Sequence, residues 1–293
     1  MTTTAAREAI PTRLDKHVRD CTGLSHREIK EAFRQGRIEV SSGILRLTDF
    51  VFAKDDVWLD DELLGFRRPD QYWMFHKPEG VITAVHDPYG RDCLAPWMGL
   101  FGGARVFPVG RLDKATSGLL LFFDDGDLAF AILHPSHHVE KQYRLHFDEP
   151  VLQDDPRLAM LLDGVNIGDG RPAAAVGLSW RSETSIDLRL NEGRYRQIRR
   201  MCSAARLRLA HLHRFSVGPI QMGVMEPGAV QRLSPADVDR LWVAVGGRQR
   251  IKDRRVMALI QYAQRRREHG TPHLRLEAWL RAGGDELLSS SST

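Results

Sequence analysis

Leu119-Leu120-Leu121-Phe122-Phe123 is an unbroken apolar run behind Thr116-Ser117-Gly118, and it predicts a buried strand. Val139 to Phe147 alternates apolar and polar positions, which predicts a strand that places Lys141 and Tyr143 on one face. Tyr72 to Phe75, ending at His76-Lys77-Pro78-Glu79-Gly80, and Ser185 to Leu190 predict further strands, and Gln197 to Ala205 a helix. Nearer the N-terminus, Ser25-His26-Arg27-Glu28 has capping-box spacing. Ile29, Ala32 and Phe33 follow at helical intervals, so a helix should begin at Ser25 and stop near Gly36. Arg37 to Val40 and Asp56 to Asp60 alternate like short strands, with a turn at Ser41-Ser42-Gly43.

The elements group into an α+β chain of three parts. Residues 11–66 form a small helical and β module, and Gly65 to Asp70 reads as a linker because Gly and Pro bracket a polar run. Residues 70–245 form a larger domain of mixed α and β. Residues 246–293 are a basic extension whose stretch Arg248 to Arg267 has eight cations, one acid and an apolar side, which predicts a helix packed on the large domain with its basic face open to an anionic partner. Ser289 to Thr293 is of low complexity.

Composition narrows the class without deciding it. The 293 residues are 42% hydrophobic and 27% charged, as expected of a soluble two-domain protein. A net charge of +4 is mild, so any nucleic-acid argument rests on where the cations sit. Three scattered cysteines exclude a complete disulfide framework and a paired-cysteine zinc clasp, which fits a reducing cytoplasm. Neither a signal peptide nor a membrane-length apolar run is visible.

The cations do cluster. Thr12 to Arg37 holds seven against four acids, with Arg13, Lys16, Arg27, Lys30 and Arg34 as candidate RNA contacts. Arg194 to Arg214 holds seven arginines and no acid, a density suited to phosphates, which guanidinium groups bind bidentately. Arg194, Arg196 and Arg200, with Arg111 and Lys141, are the further RNA candidates. Asp113 lies between Arg111 and Lys114 with Gly110 and Gly118 at the borders. It is either a persistent anion fit for nucleophilic or electrostatic work, or a loop residue making surface ion pairs. Arg199 and Arg200 adjoin apolar Ile198 and Met201, so at least one should point inward to a carboxylate, for which Asp113 is the candidate. Tyr143 could stack on a base beside that carboxylate or be an ordinary core residue. His134, His137 and His138 lack metal-ligand spacing, and Asp124, Asp125 and Asp127 read as a solvent turn.

Gly110-Arg111-Leu112-Asp113 with Thr116 to Leu120, Lys77-Pro78-x-Gly80, Glu140-Lys141-x-Tyr143, and Asn191-Glu192-Gly193 through Gln197-Ile198-Arg199-Arg200-Met201 occur here in order. Together they closely resemble the RsuA/RluB/RluE/RluF-type ribosomal RNA pseudouridine synthase family. Arg13-Leu14-Asp15, Ser25 to Glu28 and Gly36 to Val40 resemble the RNA-binding module first seen in a ribosomal small-subunit protein. The resemblance implies a catalytic domain on a mainly antiparallel mixed sheet with the cleft across its middle. It further implies Asp113 as the essential aspartate, Tyr143 as the active-site tyrosine and Arg199 as the basic partner of Asp113, the choice of Arg199 over Arg200 resting on the alignment of Gln197-Ile198. The implied activity isomerises one uridine of ribosomal RNA to pseudouridine, needing no cofactor or metal, in a cytoplasmic monomer that binds ribosomal RNA or an assembly intermediate.

Some positions depart from those patterns. His76 stands where Asn is common, Phe123 where Thr is usual, and Ser42-Gly43 and Asp55-Asp56 replace the module's Asn-Gly and Gly-Asp. Two rivals survive: a non-catalytic ribosome-associated RNA-binding protein, and a base-removing hydrolase that would release uracil. A zinc nucleobase deaminase is disfavoured because its His-x-Glu and Pro-Cys-x-x-Cys ligands are missing. The choice between small- and large-subunit RNA, and between nucleophilic and glycal routes, stays open.

Overall fold

The computed structural model describes residues 10–44, 46–65, 69–103 and 105–284. Two compact units result: the chain up to Pro69 together with the chain from Gly247 onward, and Asp70–Gly246 between them.

The first unit opens with β1 (Thr12–Arg13), α1 (Leu14–Thr22) and α2 (His26–Arg34). The helix α2 starts where the spacing predicts. The Ser25 hydroxyl accepts from the Glu28 amide at 3.3 Å and the Glu28 carboxylate accepts from the Ser25 amide at 2.8 Å, so two otherwise orphaned donors are satisfied. β2 (Ile38–Val40), β3 (Phe50–Val51), β4 (Val57–Leu59) and β5 (Glu62–Leu63) follow. β2, β4 and β5 form an antiparallel sheet, and β3 pairs with β1. Leu14, Val18, Ile29, Ala32, Ile38, Val51 and Val57 close the core of this module. Of the expected linker, residues 66–68 lie outside the described residues, as does the low-complexity tail.

The second unit is built on β6 (Tyr72–Lys77), β7 (Phe107–Pro108), β8 (Thr116–Phe123), α3 (Gly126–Leu133), β9 (Lys141–Phe147), α4 (Pro156–Asp163), β10 (Gly177–Ser182), β11 (Ser185–Leu190), α5 (Gln197–Ala204), β12 (Leu209–Val217), β13 (Ile220–Gln221), β14 (Val230–Arg232) and α6 (Pro235–Ala244). Its nine-stranded sheet runs β10-β11-β9-β12-β8-β6-β14, with β13 on β12 and β7 on β8. β8 against β12 is the parallel pair in an otherwise antiparallel ladder. The pairing needs Gly118: its φ is +109°, and a Cβ there would lie within 2.8 Å of the Arg214 backbone N and C. Leu119 to Phe123 are all buried, as the apolar run predicts, and Phe123 stacks edge-on against Tyr72. The strict alternation of β9 buries Lys141, Tyr143, Leu145 and Phe147 on one face.

One expectation is corrected in this unit. Asp124 to Asp127 is not a solvent turn. Asp125 is buried and caps α3, accepting from the Asp127 and Leu128 amides and from the Tyr72 hydroxyl at 2.8 Å. His76 has its own contact, its Nδ1 lying 2.8 Å from the Met225 carbonyl oxygen.

The C-terminal extension forms α7 (Gly247–Glu268) and α8 (Leu274–Trp279). It belongs to one compact unit with the N-terminal module, where the expectation was the large domain. Leu259, Ala263 and Leu276 share a core with Phe52, flanked by Ile10, Phe50, Tyr262 and Trp279. Arg275 clamps the Asp55 carboxylate at 2.5 and 2.6 Å, donates to the Ser42 hydroxyl at 2.7 Å and lies over the Phe52 ring. The Asp55 side chain is 2% exposed, and burying a carboxylate that far demands a cation. No helix among the described residues is long and apolar enough to cross a membrane.

Candidate active site

A cavity of about 770 Å³ opens over the middle of the nine-stranded sheet. Asp113, Thr116, Lys141, Tyr143, Arg199 and Arg214 are among its lining residues. Four elements deliver them. The turn into β8 carries Asp113, β9 carries Lys141 and Tyr143, β12 carries Arg214, and α5 carries Arg199. Thr83 fixes the approach to Asp113, since its hydroxyl donates to the Leu112 carbonyl at 2.7 Å and accepts from the Leu112 amide at 3.0 Å. The Thr116 amide closes the turn on the Asp113 carbonyl at 3.0 Å, and the Gly80 amide bonds to Lys114 at 2.8 Å.

Asp113, half-buried, makes no ion pair and no side-chain hydrogen bond among the described residues. The Tyr143 hydroxyl is likewise without a hydrogen bond among them, although the residue is 8% exposed. The expected Asp113–Arg199 ion pair is absent. Arg199 instead donates through Nη2 to the Ala115 carbonyl, two residues along from Asp113, and its buried Nε has no partner. A guanidinium turned inward needs an acceptor, and a main-chain carbonyl satisfies an N–H without neutralising the charge, which leaves the acid untied.

Other buried cations of this unit, Lys141 and Arg214 in the cavity wall and Lys77 outside its lining, are also held on carbonyls. Lys77, fully buried on β6, donates to Pro78 at 2.7 Å and Val81 at 2.6 Å. Burial pushes its pKa down to about 8, opposed by the negative charges of Glu79 and Asp113. Lys141 donates to the Val139 carbonyl at 2.9 Å and is also lowered to about 8, by burial and then by Arg214. Arg214, 4% exposed, donates to the Leu119 carbonyl at 2.8 Å. Sequence reasoning did not single out Thr83 or Arg214 as cavity residues, and Arg214 was legible only as the last member of the basic segment.

The arginine-rich segment divides. Arg194 is a strut, not an outward phosphate ligand. It is paired with Glu192 at 2.8 Å and Asp169 at 3.0 Å and donates to the Arg171 and Pro172 carbonyls. Gln197 completes that knot, donating to Glu192 at 2.9 Å and accepting from the Arg194 amide at 2.9 Å. Arg200 is turned to the Ile167 and Tyr195 carbonyls and to Asp169. Arg196 and Arg111 stay exposed on the cavity rim beside Tyr195, which is 76% exposed and was not singled out in the sequence. In the other unit Arg13 pairs with Asp15 at 2.6 Å, Lys16 with Asp20 at 3.4 Å and Arg34 with Glu31 at 3.9 Å. Arg27 and Lys30 are exposed and make no ion pair among the described residues.

A single carboxylate left unengaged, ringed by cations held on carbonyl oxygens, can attack or deprotonate a neutral substrate while the fixed charges steady developing anion. An aromatic in the wall can replace the stacking that a base loses on leaving a helix.

Residues 71–204 match a family described as RNA pseudouridylate synthase. The chain is 34% identical over 208 residues to the ribosomal large subunit pseudouridine synthase B of Escherichia coli strain K12, covering 68% of this chain and 70% of that one. To the ribosomal small subunit pseudouridine synthase A of Haemophilus influenzae it is 28% identical over 232 residues, 78% of this chain and 99% of the relative. To an uncharacterized RNA pseudouridine synthase of Mycobacterium bovis it is 31% identical over 258 residues, 82% of this chain and 97% of the relative. A crystal structure of a pseudouridylate synthase superposes with a TM-score of 0.55 at 28% identity, covering 80% of this chain and 100% of that one.

Proposed function

The chain belongs to the RNA pseudouridylate synthase family, and from that membership we propose that it isomerises a uridine of ribosomal RNA to pseudouridine, with Asp113 as the acting carboxylate. The observation that carries the reading is the state of the acids in the cavity wall. Glu192 is tied to Arg171 and Arg194, whereas Asp113 is uncommitted among the described residues and shares the cavity with Tyr143 and Arg199. The bond between ribose C1′ and uracil N1 breaks, the base turns, and C1′ joins C5, whose proton moves to the freed N1. No atom is gained or lost and no electron changes hands, so the residues named suffice without cofactor or metal.

The target nucleotide must leave its helix to enter the cavity. Tyr143 offers a ring in the cavity wall, while Arg111 and Arg196 on the rim and Arg27 and Lys30 of the small unit offer charge to phosphates. Arg13, Lys16, Arg34, Lys141, Arg194 and Arg200 serve by holding local structure, since each already has a protein acceptor. The enzyme acts as a cytoplasmic monomer.

The decisive test compares ribosomal RNA from cells lacking the gene and supplied with either the wild type or Asp113→Asn. Carbodiimide-dependent stops in primer extension should map one or more pseudouridines restored by the wild type and not by the variant, with RNA binding by the variant retained. Product formed by Asp113→Asn would overturn the assignment, and free uracil in place of pseudouridine would make the protein a hydrolase.

A further inference from the structure

The C-terminal extension presents a second charged surface that the isomerase reading leaves unused. Val256, Leu259 and Ala263 mark the buried side of α7. On the opposite side Arg250, Arg254, Gln261 and Arg265 are exposed, at steps of four, seven and four residues that keep them on one stripe of an α-helix. The stripe is about 22 Å long at 1.5 Å per residue. Glu268 is the first acid on that side, at the helix end, while Asp253 lies off the stripe and is bonded to Gln249 at 2.7 Å.

The extension is anchored through Arg275 on α8. Ser42 and Asp55 are positions where the small module departs from its usual Asn-Gly and Gly-Asp, and Arg275 binds both of them. A glycine at position 55 would leave the Arg275 guanidinium without its carboxylate. The extension is therefore anchored to the module that already displays Arg27 and Lys30.

We propose that α7 and α8 are a constitutive part of the RNA-binding unit, and that Arg250 and Arg265 on this stripe bind the phosphate backbone of the RNA substrate. Guanidinium groups with no acid among them suit phosphates better than the mixed charges of a protein surface, and the stripe carries no apolar anchor beyond Met257. The inference rests on the reading that the substrate is RNA, and its test is separable from the test of Asp113.

The experiment uses the full chain and total ribosomal RNA from cells lacking the gene. Arg250→Glu/Arg265→Glu changes exposed positions that make no ion pair among the described residues, so thermal unfolding should match the wild type. RNA affinity at matched salt should fall on the order of tenfold, and the slope of log K against log salt should become shallower by about 2. Pseudouridine should still form when the variant is in excess. Arg275→Ala, which frees the extension while leaving the stripe, should weaken RNA binding in the same direction. Unchanged affinity and slope in the double variant would overturn the proposal. So would unchanged affinity for naked RNA with lost retention on ribosomal subunits, which would make the partner a protein. A product-forming Asp113→Asn beside an RNA-defective double variant would sink the catalytic assignment and leave this one standing.

Discussion

In the large unit four cations turn inward, and in the small unit another set turns outward. Lys77, Lys141, Arg199 and Arg214 are held on main-chain carbonyl oxygens, whereas Arg27, Lys30, Arg250 and Arg265 are exposed and make no ion pair among the described residues. The same side chains thus do two jobs, set by what accepts their hydrogen bonds. Held on neutral carbonyls in a buried wall, they build a fixed field around an acid without neutralising it. Left in water, they are long-range, salt-sensitive handles for phosphates.

The strongest way to break the inward arrangement is Gly118→Ala. The new methyl would collide with the backbone of Arg214 at a residue whose φ of +109° already disfavours a side chain, so β8 and β12 must separate. Unfolding in urea should show a loss of about 3 kcal/mol or more. An unchanged midpoint would mean the parallel pair does not depend on that approach.

Arg214→Met sharpens the comparison by removing one inward cation. The Leu119 carbonyl loses its buried donor, a cost of about 1–3 kcal/mol. A pH signature should accompany it. Lys141 releases its proton near 8 when folded, while the unfolded chain keeps it to 10.5. The unfolded state therefore binds more protons between those values, and the Lys141 contribution to stability rises as pH climbs through that window. Arg214 is one of the two causes of the lowered value, so its removal moves the folded pKa up and flattens the rise. Stability curves from pH 7 to 10 for both proteins read the difference, and parallel curves would show that the two cations do not communicate.

The smallest effect belongs to the outward set. Arg27→Ala/Lys30→Ala should change stability by less than about 0.5 kcal/mol while lowering the salt slope of RNA binding by about 1 per residue. A large loss of stability would show these residues to be structural.

Much of this was legible wherever the signal is local. The capping box of α2, the apolar run of β8 and the alternation of β9 depend on neighbours in sequence, and each predicted element forms. The motif residues Asp113, Tyr143 and Arg199 do line one cavity. The acceptor of Arg199 was not legible, because every residue carries a carbonyl and none is marked in the sequence as the one that will be used. The same holds for Arg194, whose basic neighbours suggest a ligand while its partners Asp169, Arg171 and Pro172 lie over twenty residues away. α3 escaped notice because its cap, Asp125, is hidden among other aspartates. The seat of the extension was least readable, since apolar residues at helical spacing declare that something is covered without naming what covers it.

That seat has a consequence for how the polypeptide matures. Asp55 and Arg275 are 220 residues apart, and at about 5–20 residues per second the first emerges from the translating machinery on the order of ten to forty seconds before the second exists. Throughout that interval Phe52 lacks its cover and Asp55 its counterion, while the intervening sheet can already assemble. The opening portion of the nascent chain is thus the last to reach its final form.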